Sequence, residues 1–164
     1  MHFISQELED YIEQHSEKEP ALLAALNKET YRKILLPRML SGHFQGRVLS
    51  MLSKLIRPIN ILEIGTSLGL TTAYLSNGNK KGKVTTVEGD PTIYEIAKQN
   101  FQKLGLQNVA IHNKSFDNSL PEFLKNKYDL IAIGSILESE IKYFKKYYNY
   151  VRATLNSPVY VWGS

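Results

Sequence analysis

The segment Ile61-Leu62-Glu63-Ile64-Gly65-Thr66-Ser67-Leu68-Gly69 is an apolar run that closes on a turn of small residues, the pattern of a buried strand that feeds directly into a helix. The helix is expected to begin at about Gly69, which leaves the unpaired N–H groups of its first turn facing the turn itself. Gly65 lets a ligand approach the main chain, and Gly69 lets the helix pack close to the strand, because neither carries a Cβ. About twenty residues on, Lys83-Val84-Thr85-Thr86-Val87-Glu88 reads as a neighbouring strand whose terminal carboxylate can accept both hydroxyl protons of a ribose. Strand, turn, helix start and acidic strand end together describe a cradle for an adenosine-bearing ligand. The plainer alternative is a tight strand-to-helix turn with no ligand.

Two adenosine ligands compete for such a cradle. NAD needs Gly-x-Gly-x-x-Gly, and here Ser67 stands where the second glycine would meet the pyrophosphate. Glu63 places a carboxylate beside the turn, which repels phosphate and suits a cationic sulfonium amino acid. The residues therefore favour S-adenosylmethionine (SAM), with an NAD-type oxidoreductase as the alternative.

The 164 residues, 43% hydrophobic and 22% charged, suit one soluble α/β domain. No stretch approaches ~20 uninterrupted apolar residues, and the first residues lack the basic-then-apolar pattern of a signal peptide, so a cytoplasmic protein without membrane contact is expected. The absence of cysteine excludes disulfides, thiolate catalysis and cysteine-based zinc sites. A net charge of +4, with lysines and acids interspersed, does not indicate nucleic-acid binding.

Along the chain, residues 1–58 read as an N-terminal helical cap and 59–164 as a core. Short amphipathic helices are expected over 4–15 and from Pro20 through Leu22, Leu23 and Leu26. A third carries Phe44, Val48, Leu49, Leu52, Leu55 and Ile56 at helical spacing and stops before Pro58. Strands at 60–64, 83–88, 108–112, 128–133 and 159–162 then alternate with helices from Gly69, over 91–104, 120–126 and 136–155. The 91–104 helix is well signed, with Asp90 as N-cap, Pro91 at its first position and Gly105 as its C-terminal cap. Alternating βα units predict a Rossmann-like, doubly wound, mainly parallel α/β sheet with helices on both faces and ligands at the carboxyl ends of the strands.

From Leu36 to about Leu124 the sequence resembles the class I SAM-dependent O-methyltransferases of the catechol and caffeoyl-CoA type. The resemblance is carried by Pro37-Arg38-Met39-Leu40-Ser41-Gly42-His43-Phe44-Gln45-Gly46, by Leu62-Glu63-Ile64-Gly65-Thr66-Ser67-Leu68-Gly69-Leu70-Thr71 and by Thr86-Val87-Glu88. It implies that Met39 and Ser41 flank the methionine part of SAM, that Glu63, Gly65, Thr66 and Ser67 line it, and that Glu88 holds the ribose. Gly69 and Thr71 belong to the same motif, and Phe116 and Asp117 match positions that border the adenine. Met39 and Phe116 as core residues and Asp117 as a helix cap are the alternative readings.

The departures from the family pattern also carry information. Metal-dependent members end the strand written here as Asp129-Leu130-Ile131-Ala132-Ile133 with a metal-binding Asp, and this chain has Gly134 there; the Asp-Asn pair of the following strand is replaced by Gly163 and Ser164. A hard divalent cation needs converging carboxylates, so no metal is expected at that site. The final helix and antiparallel strands of the family fold are missing from the sequence, which reads as a shortened version or a truncated product. Over 136–155, Leu137, Ile141, Phe144, Tyr148, Val151 and Leu155 form one apolar face, and Tyr143, Tyr147 and Tyr150 a second, either a homodimer contact or tyrosines lying on the domain's own surface. His43 is the one histidine inside a family motif and the candidate general base; His2, His15 and His112 have no evident partner. The expected function is metal-free O-methyl transfer to a small molecule, with a catalytically impaired SAM- or S-adenosylhomocysteine-binding subunit as the alternative.

Overall fold

The computed structural model describes residues 5–33, 42–115, 122–123 and 125–134. Its element order is α1 (Gln6–His15), α2 (Ala21–Lys33), α3 (His43–Ile56), β1 (Asn60–Ile64), α4 (Leu70–Gly78), β2 (Lys83–Glu88), α5 (Pro91–Lys103), β3 (Val109–Asn113) and β4 (Leu130–Ile133). The expected helix and strand over 136–155 and 159–162, with the tyrosine face, lie outside the described residues, as does most of the expected 120–126 helix.

The four strands form one parallel sheet in the order β3-β2-β1-β4. β1 lies inside it, with Glu63 opposite Thr86 on one side and Ala132 on the other. Side chains of both faces are buried. Ile61, Val84, Leu130 and Ala132 pack with Leu49 of α3 and Leu75 of α4, while Leu62 and Ile131, which alternate with them, are also excluded from solvent. At the amino ends of the strands, the Asp129 carboxylate accepts the N–H groups of Ile59 and Asn60 at 2.8 and 2.9 Å. Because the strands are parallel, the turns after β1 and β2 lie together at the other end of the sheet.

Helix starts follow their sequence signals. Ser5 caps α1 through its hydroxyl, and the Asp90 carboxylate accepts from Thr92 and Ile93 at the head of α5. Leu104 is the C-cap of α5, and Gly105 beyond it takes a positive φ of 64°. α2 runs past the expected Leu26 to Lys33 and seats Leu23 and Leu26 on Leu70, Ala73 and Tyr74 of α4; Leu22 points outward. β3 is shifted by one residue from the expected 108–112; Asn108 still accepts the Val84 N–H through its carbonyl, and its side-chain amide donates to the carbonyls of Asn79 and Gly82.

α3 departs most from its sequence reading. Its buried positions are Gly46, Leu49, Ser50 and Ser53, whereas Phe44 and Leu55, expected on the inner face, are 50% and 71% exposed. The reason is how closely α3 packs on α4. A Cβ on Gly46 would stand 2.0 Å from the Tyr74 ring, and one on Gly78 would stand 2.5 Å from the Ser50 carbonyl oxygen. Ser53 fills the remaining gap by donating to the Leu75 carbonyl at 3.0 Å. Where the backbones are closest the seam takes Gly46, Ser50 and Ser53, while Leu49 beside them reaches the sheet core and Phe44 and Leu55 face outward.

Gly46→Ala tests the seam. Alanine gains about 1 kcal/mol of helix propensity over glycine, but overpacking a contact this close costs about 1–3 kcal/mol. The 2.0 Å approach puts the cost at the upper end of that range, so a net loss of about 2 kcal/mol is expected in urea unfolding; an unchanged or raised midpoint would show that α3 and α4 are not held this closely.

Candidate functional site

The site is built at the carboxyl ends of β1 and β2. After Ile64 the chain turns at once: the N–H groups of Gly65 and Thr66 both donate to the Val87 carbonyl, at 3.0 and 3.2 Å, and Gly69 N–H closes the turn onto Thr66 O at 2.9 Å. Gly65, Ser67 and Gly69 all have positive φ, at 88°, 50° and 89°. The glycines are required for more specific reasons than the sequence suggested. A Cβ on Gly65 would lie 2.4 Å from the carbonyl oxygen of Gly134, and one on Gly69 would strike the Phe101 ring of α5 at 2.2 Å. Gly65 therefore permits the crossing of the β1 and β4 ends, and Gly69 permits the approach of α5 rather than of the strand.

Ser67 has no such freedom, and a side chain at φ 50° is strained. Its conformation is held by Glu88, whose Oε2 accepts the Ser67 N–H at 2.8 Å while Oε1 accepts the Asp90 N–H at 3.0 Å. Both carboxylate oxygens are thus oriented by the main chain, and each retains acceptor capacity. Asn100 of α5 ties down the same turn by donating to the Leu68 carbonyl at 3.1 Å.

Glu63 is fully buried at the end of β1. Its Oε2 accepts the hydroxyl of Thr72 in α4, and Oε1 has no hydrogen-bond partner among the described residues. Burial pushes its pKa from 4.5 to about 7; the Thr72 and Thr86 hydroxyls oppose the rise and the nearby Glu88 charge adds to it. A buried acceptor left over beside a polar turn fits a donor-bearing, positively charged ligand group.

Glu63, Gly65, Thr66, Ser67, Gly69 and Glu88 are thus gathered at one end of the sheet. Thr66 offers only its main chain there, since its side chain is buried and shares a 2.6 Å hydrogen bond with the Thr86 hydroxyl. Thr71 is half-buried in the first turn of α4. Met39, Ser41, Phe116 and Asp117 lie outside the described residues. Thr72, Asn100 and Phe101, which shape the turn, were not singled out from sequence; the spacing from Glu63 to Thr72, one strand end to one helical turn, is the signal that could have found the first.

His43 stands elsewhere and is already engaged. Its Nε2 lies 2.7 Å from the Glu17 carbonyl and its Nδ1 2.6 Å from the Tyr74 hydroxyl. A carbonyl only accepts, so Nε2 carries the proton and the lone pair of Nδ1 is taken by Tyr74. That geometry engages both ring nitrogens of the candidate base with groups of the domain itself. His15 bonds the Tyr11 carbonyl, and His112 packs edge-on against Phe123, its pKa lowered by burial and then by Lys114.

Gly134 closes β4 with its N–H on the Ile64 carbonyl at 2.8 Å. It brings no carboxylate to the strand end, and Asp129 is committed at the opposite end of β4. These residues do not fit the divalent ion of metal-dependent O-methyltransferases.

The Glu63 shift has a checkable sign. The folded state favours the protonated carboxyl, so its contribution to stability is complete below pH 4.5 and is lost as pH rises through about 7. The full loss is on the order of 3 kcal/mol. Glu63→Gln is expected to remove it, so that the variant gains on the wild type by about 2–3 kcal/mol between pH 4.5 and 8 in denaturant titrations; parallel stability curves for the two proteins would contradict the assignment.

Comparisons with known proteins bear on the family and the fold. The family model described as O-methyltransferase matches residues 13–155. A catechol O-methyltransferase of Mycobacterium tuberculosis is 32% identical over 129 residues, covering 77% of this chain and 58% of its own length. A catechol O-methyltransferase of Niastella koreensis is 29% identical over 133 residues, with 78% and 59% covered. The chain thus spans less than two thirds of these relatives. Among solved structures, an S-adenosylhomocysteine-bound methyltransferase of Podospora anserina superposes with a TM-score of 0.81 at 22% identity, over 98% of this chain and 71% of its own. That likeness bears on the fold alone. With most of its length matched by the family model, the chain belongs to the O-methyltransferase family.

Proposed function

We propose that this chain binds S-adenosylmethionine at the β1 and β2 ends and catalyses methyl transfer to an oxygen of a small molecule without a metal ion. The observation that carries the proposal is the Glu88 carboxylate, set by the Ser67 and Asp90 N–H groups with acceptor capacity left for two vicinal ribose hydroxyls. SAM, when bound, supplies a methyl group on a positively charged sulfur, electrophilic toward an acceptor oxygen. Glu63 suits the cationic methionine end, with a buried oxygen lacking a partner among the described residues. The Gly65–Ser67 main chain forms the wall between the two carboxylates. Met39, Ser41, Thr71, Phe116 and Asp117 complete the proposed cofactor set.

Two further observations shape the reading. NAD is disfavoured because the Ser67 N–H that would face a diphosphate is spent on a carboxylate, which would also repel the phosphates. The engagement of His43 favours a second reading, in which the chain binds the adenosyl ligand but, having no base for the acceptor's proton, does not transfer methyl by itself. A homodimer through the tyrosine face of 136–155 and a cytoplasmic location remain part of the proposal. Among the described residues no helix is long and apolar enough to cross a membrane.

Calorimetric titration with SAM and S-adenosylhomocysteine, with NAD as control, tests the cofactor assignment. Micromolar binding of the adenosyl ligands alone is expected, and Glu88→Ala should weaken it at least about 30-fold, the loss of charge-assisted hydrogen bonds worth about 2 kcal/mol or more. Tighter binding of NAD, or adenosyl binding indifferent to Glu88→Ala, would refute it. Transfer of labelled methyl to a panel of hydroxylated aromatic compounds separates the enzyme from the binding protein.

A further inference from the structure

We propose that Tyr74, His43 and the Glu17 main chain form a latch that positions α4 for cofactor binding, making Tyr74 and His43 positioning residues. The proposal rests on the adenosyl-binding reading above, because α4 supplies one wall of that site: its N-cap Gly69 ends the turn, and Thr72 holds Glu63. Tyr74 follows two residues later.

The latch joins three elements. Tyr74 of α4 donates to Nδ1 of His43 at 2.6 Å, and His43, the first residue of α3, donates from Nε2 to the Glu17 carbonyl between α1 and α2 at 2.7 Å. The carbonyl can only accept, which puts a proton on Nε2, and in the neutral imidazole Nδ1 then accepts from the Tyr74 hydroxyl. That arrangement uses the Nε2–H tautomer of the imidazole and a protonated phenol. Burial, with the charge of Glu19, raises the Tyr74 pKa against the smaller opposing effect of Arg47, so the phenol keeps its proton. Glu19 and Arg47 are the charged groups that act on the Tyr74 phenol, and Arg47 pairs with the Glu17 carboxylate, binding α3 to the same linker residue a second time.

The ring of Tyr74 lies in the space left by Gly46, where a Cβ would stand 2.0 Å away. Its face serves packing and its hydroxyl serves the bridge, so the two can be separated by mutation. His43 also lies one residue beyond Gly42, the N-cap of α3, which follows the proposed cofactor contact Ser41 in the chain. Fixing His43 against Tyr74 therefore joins the start of α3 to the helix that holds Glu63.

The test is S-adenosylhomocysteine calorimetry on the full chain and on Tyr74→Phe, His43→Leu and His43→Asn, each checked for folding by circular dichroism melts. Tyr74→Phe keeps the ring in its slot. His43→Leu fills space without an acceptor, and His43→Asn places Oδ1 near the position of Nδ1. Tyr74→Phe and His43→Leu are expected to raise Kd about five- to tenfold, the effect of one net hydrogen bond, and His43→Asn to return it to within about twofold of the wild type. Folded variants that bind like the wild type, or His43→Asn binding as weakly as His43→Leu, overturn the latch while leaving the cofactor assignment standing. A wild type that binds no S-adenosylhomocysteine overturns the cofactor assignment and the latch with it.

Discussion

The site depends on one carboxylate serving two turns. Glu88 ends β2, accepts the Ser67 N–H from the turn after β1 and the Asp90 N–H from its own turn, and so fixes two adjacent βα loops to each other. The left-handed conformation of Ser67 costs roughly 1–2 kcal/mol, and a hydrogen bond to a charged oxygen returns about 1.5–3 kcal/mol; the turn is thus stable because Glu88 is there. Parallel pairing of Ile64 with Val87 brings the two strand ends level, which lets one side chain reach both loops. A ribose held by Glu88 would meet a surface shaped before it arrives, at little ordering cost.

Glu63 and Glu88 show how position separates two identical side chains. Glu88 is half-exposed and surrounded by donors, whereas Glu63 lies under the turn with one oxygen unpartnered among the described residues. Burial dominates its titration, so ionising it near neutrality opposes folding. A fold under no other demand would place a Gln or an apolar residue there, because an unsatisfied buried carboxyl is costly. Under the proposed function, the cationic end of the ligand would bring a positive donor to that oxygen.

The parts of this arrangement that were legible in the sequence are those written in local chemistry. Asn60–Ile64 and Lys83–Glu88 stand where the apolar runs and the Gly65 turn placed them, and Asp90-Pro91 marks the start of α5. What was not legible involves partners far along the chain. The engagement of His43 comes from Glu17 and Tyr74, 26 and 31 residues away, and no spacing rule reports it. The face of α3 was misread because hydropathy assigns large apolar residues to the inside, whereas a close helix seam selects by size and takes Gly46, Ser50 and Ser53. The same holds for Gly65 and Gly69: their need for glycine was evident, but the groups that impose it, Gly134 and Phe101, were not.

Helix α4 explains why these long-range contacts converge. Leu70, Thr72, Ala73, Tyr74, Leu75 and Ser76 are all buried, so it has little solvent face, and its buried polar side chains Thr72 and Ser76 are hydrogen-bonded. Each side is claimed by a different neighbour: Leu70 and Ala73 by α2, Tyr74 by Gly46 and His43, Leu75 by the sheet core and by Ser53, Ser76 by Asn108, and Thr72 by Glu63. A nine-residue helix is too short to be stable by its own hydrogen bonds. Its position is therefore set by these contacts, and a change at α2 or α3 is transmitted to the Thr72–Glu63 pair through a rigid element with no free side on which to yield.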